Sequence, residues 1–330
     1  MNRKVLVVPA AIVLFVVFAT QCLLDKRVPD PEDYKEAMRE FVRDIGSYAR
    51  GIKSSFILIP QNGHELVTKN GAVGEEAASE YLRAINGMGR EDLFYGYNND
   101  NEATPQSVRN EWVPFLDVAK AHGVRVLVID YCSTQAFVEA SYSQNAAKGY
   151  ISFAAHQREL DAVPSYPAAP YNVNQAHINS LADAKNFLYL INPSAFSTKS
   201  AMLTAIQNTN YDLVIIDLFF NDGTMLTSAD ITSLKIKKDG GARLVIAYMS
   251  IGESEDYRYY WKPQWKTNPP PWLAAQNPNW PGNYKVRYWY KEWQDIIYGN
   301  DESYTKKILD AGFDGVYLDI IDAFEYFESQ

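Results

Sequence analysis

Three segments of this chain share one pattern, in which a predicted helix ends near a glycine and a mostly apolar run follows that closes on a carboxylate. These runs are residues 124–130, 242–253 and 313–319. Strands that are apolar along both faces belong to parallel sheets covered by helices, because a sheet with one wet face alternates polar and apolar residues. The pattern therefore predicts a parallel sheet with helices on its faces.

Further apolar segments complete a set of eight predicted strands, and they are residues 56–60, 84–91, 186–192, 211–220 and 285–288. Helical segments separate the strands, and eight of them suit a (β/α)8 barrel better than a doubly wound sheet. A chain of 330 residues is long enough for one large barrel. We predict an α/β protein whose residues 23–330 form a single TIM-barrel domain.

The first helix is predicted to begin at residue 30. Asp30 is the expected N-cap, Pro31 the first helical residue, and acidic residues fill the first turn. Apolar residues then recur at helical spacing until Gly51, which is the expected end. The sequence predicts an amphipathic helix that packs against the core.

Residues 1–22 have the layout of a signal peptide, with two cations before an uncharged apolar run over residues 5–19. A transmembrane anchor is the alternative, but the run is shorter than the ~20 residues that span a bilayer, and Pro9 interrupts it. We predict export to the periplasm, the cell surface or the medium. Cys22 stands where a lipoprotein would carry its lipid, so membrane contact is expected only through the signal or such an anchor.

The charge balance and the scarcity of metal ligands exclude several classes of function. Lys and Arg total 31 against 40 Asp and Glu, and the net charge of −9 repels phosphate backbones, so no nucleic-acid partner is expected. Two cysteines and four histidines without CxxC or HExxH spacing argue against a metal site. The sequence also lacks a GxSxG elbow, a P-loop and a dinucleotide fingerprint, so no cofactor is expected.

Two long segments interrupt the alternation of strands and helices. Residues 150–180 are rich in proline and are predicted to form a loop after the third strand. Residues 257–298 hold six of the seven tryptophans and seven of the 23 tyrosines. One interpretation is a small core stiffened by proline, and the other is a wall of rings for ligands with C–H faces, such as sugars. Both interpretations can hold for different rings of this aromatic-rich βα loop.

Acidic residues close four of the predicted strands, and they are Asp130, Asp217, Glu253 and Asp319. The C-terminal ends of barrel strands meet at one face, so these side chains are expected to share one cup. Helix capping or a local ion pair is the alternative for any one of them. Two carboxylates in such a cup allow one to stay protonated as a general acid while the other is a base or nucleophile, as glycoside hydrolysis requires.

Three motifs follow in order along the C-terminal part of the chain: YDLVIID at residues 211–217, AYMSIGESEDYR at 247–258, and AGFDGVYLD at 311–319, with Asp322 after it. Together they resemble glycoside hydrolase family 114, whose members are secreted barrel enzymes acting as endo-α-1,4-polygalactosaminidases. The likeness covers roughly residues 211–327. The resemblance implies an exported glycoside hydrolase that cleaves an amino-sugar polysaccharide.

By this resemblance Asp319 looks like one of two catalytic carboxylates. The second one in the family is a glutamate that follows the aspartate, whereas only a short tail follows Asp319 here. A circularly permuted barrel would resolve the difference, because the first strands of this chain would then match the last strands of the family. Under that hypothesis Glu91 looks like the second carboxylate, and Glu253 is the next candidate.

Other residues are expected to contact substrate because of their positions near the cup, and they are Asp130, Asp217, Tyr248, Glu253, Arg258, Trp289 and Asp322. Arg158 and Asp161 either close over the substrate or form a solvated pair. The expected partner is a polysaccharide that is neutral or built from cationic amino sugars, since an acidic protein attracts cations.

Two alternatives stay open at this point. A non-catalytic carbohydrate-binding lipoprotein would keep the barrel and the aromatic loop without the chemistry, and Cys22 motivates this hypothesis. A glycosidase for a different polysaccharide is the other, because a fold and a pair of carboxylates do not select the sugar.

Overall fold

The computed structural model describes residues 28–330. The predicted signal peptide over residues 1–22, including Cys22, lies outside the described residues. Within residues 28–330, no helix is both long enough and apolar enough to cross a membrane.

Strands and helices alternate along most of the described chain. The strands are β1 (Ile57–Pro60), β2 (Gly87–Glu91), β3 (Arg125–Tyr131), β4 (Ile151–Ala155), β5 (Phe187–Leu190), β6 (Leu213–Asp217), β7 (Leu244–Ser250), β8 (Glu253–Glu255), β9 (Leu273–Gln276), β10 (Asn283–Val286) and β11 (Gly315–Asp319). The α-helices are α1 (Tyr34–Ile52), α2 (Ser79–Ala84), α3 (Gln106–Ala121), α4 (Gln135–Lys148), α5 (Lys199–Gln207), α6 (Ser228–Leu234), α7 (Lys291–Ile297), α8 (Tyr304–Ala311) and α9 (Ala323–Glu328). Two short 3-10 helices cover His64–Val67 and Pro263–Lys266.

Eight of these strands form two parallel sheets, one with the order β1-β11-β7-β6-β5 and the other with the order β2-β3-β4. The sheets adjoin where β1 meets β2, because Gln61 forms a parallel bridge with Gly89 and the Asn62 amide donates to the Gly89 carbonyl at 2.9 Å. Most residues of these strands are buried, which explains why the strands are apolar along both faces. The predicted α/β class with parallel strands is confirmed.

Two strand predictions are wrong, although the number of parallel strands agrees. The predicted strand at residues 285–288 overlaps β10, which pairs antiparallel with β8 and β9 in a separate three-stranded sheet. The eighth parallel strand is β4, inside the segment that was expected to be a loop. Gly149 ends α4 in the left-handed conformation, and β4 finishes before the first proline of that segment, Pro164.

The first helix begins later than residue 30. Its N-cap is Asp33, whose Oδ1 accepts a hydrogen bond from the Glu36 amide at 2.9 Å. The prediction favoured Asp30 because Pro31 follows it, but the chain enters the helix only after both residues. The buried face of α1 carries the apolar residues at the predicted spacing.

The aromatic segment builds a small core of its own. Trp261 packs on Trp265, Trp265 on Trp272, and Trp272 on Trp293, with ring centroids 5.0–5.2 Å apart. The Trp293 indole donates to the Ile251 carbonyl at 2.9 Å and so ties this core to the end of β7. Strands β9 and β10 belong to the same segment, and β10 also pairs with β8, which lies just before the segment.

Candidate active site

A cavity of about 860 Å³ opens at the C-terminal ends of the parallel strands. Six of the parallel strands each place one residue near their C-terminal end in its lining, and these residues are Glu91, Tyr131, Tyr189, Asp217, Tyr248 and Asp319. Parallel strands deliver such residues to one edge because their carboxyl ends point the same way.

Glu91 ends β2 and is held by hydrogen-bond donors on both oxygens. The Tyr131 hydroxyl donates to Oε1, while the Gln61 and Asn62 amides donate to Oε2. Gln61 is itself oriented, because its Oε1 accepts from the Tyr189 hydroxyl at 2.9 Å. The carboxylate of Glu91 therefore has a fixed direction in the cavity wall.

Asp319 ends β11, and its carboxyl group accepts from the Tyr248 hydroxyl at 2.6 Å and from the Ile320 amide at 2.8 Å. Burial raises the pKa of Asp319 to about 8, and the negative charge of Glu91 adds to the rise. The hydrogen bond from Tyr248 acts in the opposite direction. At neutral pH the folded protein therefore keeps Asp319 mostly protonated.

The strand order brings these two carboxyl groups together from distant parts of the chain. β1 pairs with β11 on one side and adjoins β2 on the other, so the ends of β11 and β2 lie near each other. One layer below, Tyr317 packs over Gly89, where a Cβ would overlap the tyrosine hydroxyl. A glycine is required there because the ring occupies the space of any side chain.

Asp217 and Arg258 form a buried ion pair in the cavity wall, with Nη1 to Oδ2 at 2.7 Å. The Arg258 Nε also binds Glu255, which accepts from the Tyr257 hydroxyl at 2.7 Å. Burial raises the pKa of Asp217, and Arg258 opposes that rise. Together with Tyr248, both members of the pair lie where the sequence analysis expected substrate-binding residues.

Arg158 also lines the cavity. Its guanidinium binds Asp92 and Asp100 at 2.9 Å and lies over the Tyr131 ring, 3.9 Å from the centroid. Asp161 lies outside the lining and accepts hydrogen bonds from Gln157 and Ser194 instead. The two residues do not form the pair that the sequence suggested.

Asp130 does not line the cavity, which corrects its predicted contact with substrate. Its exposure is 0%, and its carboxyl group accepts from the Phe94 and Tyr95 amides and from Ser141 and Asn145 at 2.6–3.2 Å. Burial raises the pKa of Asp130 to about 6, while these four hydrogen bonds oppose the rise. Successive strand residues face opposite sides, so Tyr131 faces the cavity and Asp130 faces α4.

Asp130→Ala is expected to lower the free energy of unfolding by about 3 kcal/mol, because it leaves two buried amides without an acceptor. Asp130→Asn is the matched control and should cost less, since its side-chain oxygen can still accept from an amide. Urea denaturation measures both values. If the Asp130→Ala variant unfolds like the wild type but loses activity, the structural role is wrong and Asp130 contacts substrate.

Trp289 and Asp322 are also absent from the cavity lining, so their predicted substrate contacts are corrected. The Trp289 ring packs on Tyr34 and Phe327, with centroids 5.3 and 4.8 Å apart. Asp322 is the residue before α9, and burial raises its pKa while the charge of Lys285 lowers it. The segment after β11 turns away from the cavity toward α1.

Glu253 lies in the cavity wall but is fully buried. Its oxygens accept from Asn277 at 2.8 Å and Asn283 at 3.1 Å, and Lys285 pairs with it at 2.7 Å. A carboxylate with these partners is already occupied, so Glu253 serves as an anchor for the segment that holds them. Its position in the lining agrees with the expected place of Glu253 near the cup, but these partners disfavour it as the second catalytic carboxylate beside Asp319.

Several residues of the site were missed by the sequence analysis. Gln61 and Asn62 directly follow the predicted strand at residues 56–60, and Tyr131 directly follows the predicted strand at residues 124–130. Polar residues directly after a buried strand are the signal that would have found them. Among residues 28–330, no group of three or more His, Cys, Asp or Glu side chains is placed to hold a metal ion.

Residues 173–330 match the family model described as glycoside-hydrolase family GH114, which confirms the resemblance seen in the motifs. An uncharacterized protein of Thermotoga maritima is 40% identical over 135 residues, which cover 41% of this chain and 40% of the relative. An uncharacterized protein of Methanocaldococcus jannaschii is 42% identical over 154 residues, which cover 46% of this chain and 41% of that relative. The chain thus spans about two fifths of the length of these relatives.

Among solved structures, this chain is similar to a hyperthermophilic endo-beta-1,4-glucanase in complex with substrate. The alignment covers 83% of this chain and 91% of the glucanase, at 12% identity and a TM-score of 0.28. A TM-score this low gives no basis for transferring a site or a mechanism.

Proposed function

We propose that this chain, whose residues 173–330 match glycoside-hydrolase family GH114, is a glycoside hydrolase with Asp319 as general acid and Glu91 as base or nucleophile. One observation carries the proposal: two carboxyl groups line one cavity in different environments. Burial and the charge of Glu91 raise the pKa of Asp319 to about 8, whereas Glu91 is surrounded by hydrogen-bond donors. Cleavage of a glycosidic bond needs such a proton donor beside a carboxylate.

In the proposed reaction, Asp319 gives its proton to the glycosidic oxygen as the bond from C1 to that oxygen breaks. Glu91 either removes a proton from the water that attacks C1, or attacks C1 itself to form an ester that water then hydrolyses. The first route inverts the anomeric configuration and the second retains it. Proton NMR of the first product formed distinguishes the two routes.

The charges around the cavity support a cationic substrate. Its two arginines, Arg158 and Arg258, are each paired with two carboxylates. Neither of these two arginines therefore pairs with Glu91. An acidic cavity attracts the ammonium groups of a partly deacetylated amino-sugar polymer. We infer that the substrate is an α-1,4-linked galactosamine polysaccharide cleaved at internal bonds, as the family resemblance implies.

Product analysis over a panel of polysaccharides tests this inference. The panel contains the partly deacetylated α-1,4-galactosamine polymer, its fully N-acetylated form, chitosan, and neutral glucans. Oligosaccharides are expected from the first polymer, with slower release from the N-acetylated form because the ammonium groups are gone. Cleavage of a neutral glucan alone would refute the amino-sugar assignment but keep the hydrolase proposal.

Tyr248→Phe is expected to move the alkaline limb of the kcat profile to higher pH. The Tyr248 hydroxyl lowers the pKa of Asp319 through its hydrogen bond, so its removal raises that pKa above about 8. The rate constant itself should also fall, because the acid loses its orienting partner. Measuring kcat from pH 5 to 10 checks the direction, and a limb that moves to lower pH would contradict it.

The chain order also supports a circular permutation relative to the family. Residues 28–172 lie outside the family match, yet Glu91 and its donor Tyr131 come from them. We propose that these residues supply the strands that follow Asp319 in other members.

We also propose that the two parallel sheets close into a (β/α)8 barrel between β4 and β5, with residues 23–330 as one domain. Phe153 of β4 packs on Phe187 of β5, with ring centroids 5.9 Å apart. Side chains of adjacent strands meet in this way when a sheet closes on itself. A crystal structure tests the closure.

Export of the protein is a separate proposal that depends on the pattern of residues 1–22. Cell fractionation and N-terminal sequencing of the mature protein test it. If Cys22 carries a lipid, Cys22→Ala releases the protein from the membrane fraction without changing its activity in solution.

A further inference from the structure

The tryptophans of residues 257–298 fall into two groups by their surroundings. Five pack their rings against other aromatic rings, and they are Trp261, Trp265, Trp272, Trp289 and Trp293. Trp280 is 59% exposed, lines the cavity, and has no aromatic neighbour among the described residues. The small core accounts for the first group but leaves Trp280 without a packing role.

Trp280 stands at the tip of the hairpin between β9 and β10, and backbone hydrogen bonds fix that tip. The Asn277 amide donates to the Asn283 carbonyl at 2.8 Å, and the Asn283 amide donates to the Trp280 carbonyl at 3.0 Å. Gly282 has a φ of 98°, a region that favours glycine, and its carbonyl accepts from the Asp256 amide at 2.9 Å. These hydrogen bonds hold the backbone that carries the exposed ring.

The base of the hairpin is attached to the wall of the cavity. Asn277 and Asn283 both donate to the buried carboxylate of Glu253, and Lys285 forms an ion pair with it. These contacts hold the hairpin beside the cavity that Asp319 lines. A ring presented from a fixed backbone loses little conformational freedom when a ligand binds.

Two other exposed rings line the same cavity. Tyr257 is 65% exposed and Tyr259 is 42% exposed. The hydroxyl of Tyr257 is held by Glu255, and the ring of Tyr259 packs on Phe219. Of the three side chains, Trp280 is therefore the one that makes no hydrogen bond or ring contact within residues 28–330.

We propose that Trp280 binds a sugar unit of the polysaccharide beyond those that flank the bond being cleaved, and that it makes the enzyme prefer long chains. The inference rests on the proposed function. The indole face stacks on the C–H face of a sugar ring, and an ammonium group of an amino sugar is attracted to the same face. Contacts made to a remote unit raise the affinity only of chains long enough to reach it.

The test compares Trp280→Ala with Trp280→Phe and with Tyr166→Ala, which removes a partly exposed ring outside the cavity. The probes are α-1,4-linked galactosamine oligosaccharides of two to eight units. Isothermal titration calorimetry measures their binding to proteins that also carry Asp319→Asn, and kcat/KM is measured without that change. Urea denaturation checks that each variant is folded.

For the longest oligosaccharides, Trp280→Ala is expected to weaken binding about tenfold, a loss typical of one stacked ring. Affinity for the shortest ones should be unchanged. Trp280→Phe should retain part of the affinity, and Tyr166→Ala should match the parent protein. Equal weakening at all lengths, or no weakening, overturns the inference while cleavage of the polymer still upholds the proposed function. If the Asp319→Asn protein binds none of these oligosaccharides, both proposals fail for this sugar.

Discussion

Asp319→Asn is expected to lower kcat/KM for the cleaved polysaccharide by about three orders of magnitude, because general acid catalysis contributes ~10²–10⁴ in rate. Asparagine has nearly the shape of aspartic acid but cannot give a proton to the leaving oxygen. Reducing ends released from the polymer measure the activity. Asp310→Asn, on the exposed side of α8, is the matched control and should keep the wild-type rate.

The same variant is expected to change how stability depends on pH. The pKa of Asp319 is raised from 3.8 to about 8 in the folded protein, so its contribution to stability is fully present below about pH 4 and is lost as the pH rises through about 8. The asparagine side chain of the variant stays neutral throughout this range. The variant should therefore gain stability relative to the wild type between about pH 5 and pH 9, as urea denaturation at each pH measures.

These two readouts separate a catalytic role from a structural one. Loss of activity together with lower stability at pH 9 would mean that Asp319 is needed for folding. Full activity in the variant would remove Asp319 from the mechanism and leave the glycosidase proposal without its acid.

Glu91→Gln is expected to lower kcat by a similar factor and to lower the pKa of Asp319. Glutamine can neither attack C1 nor accept a proton from water at neutral pH. The charge of Glu91 is one cause of the high pKa of Asp319, so its removal should bring that pKa below about 8. Carbon-13 NMR of labelled aspartate, with Asp319→Asn to assign the signal, measures the shift.

Glu253→Gln provides the comparison for Glu91. Glu253 anchors the hairpin through Asn277 and Asn283, so its loss should raise KM for long chains and leave kcat and the pKa of Asp319 nearly unchanged. The opposite pattern, with kcat lost in Glu253→Gln and kept in Glu91→Gln, would exchange the roles of the two glutamates.

The parallel strands were largely predictable because burial on both faces leaves a continuous apolar run in the sequence. The end of such a run does not reveal which of its last two residues faces the cavity. Asp130 and Tyr131 show the consequence, because a difference of one residue moves a side chain to the other face. A carboxylate at the strand end lines the cavity in the case of Asp319 but not in the case of Asp130.

The hydrogen-bond partners of the two carboxyl groups could not be predicted from the sequence. Tyr131 and Gln61 are far from Glu91 along the chain, and only the order of strands in the sheet makes them neighbours. The six tryptophans pose the same difficulty, because composition does not tell that Trp280 stands on a hairpin tip while the others pack. The hydrogen-bond partners of Glu91 depend on long-range strand pairing, which no local pattern encodes.

The pairing of β1 with β11 has a consequence for how the protein is made. A ribosome releases β1 early, but its hydrogen-bonding partner leaves the exit tunnel only after more than 200 further residues have been added. The nascent chain must therefore carry an open strand edge until then. A ribosome-bound chain stalled before β11 is expected to depend on chaperones that cover this edge, and to acquire activity only on completion of that last strand.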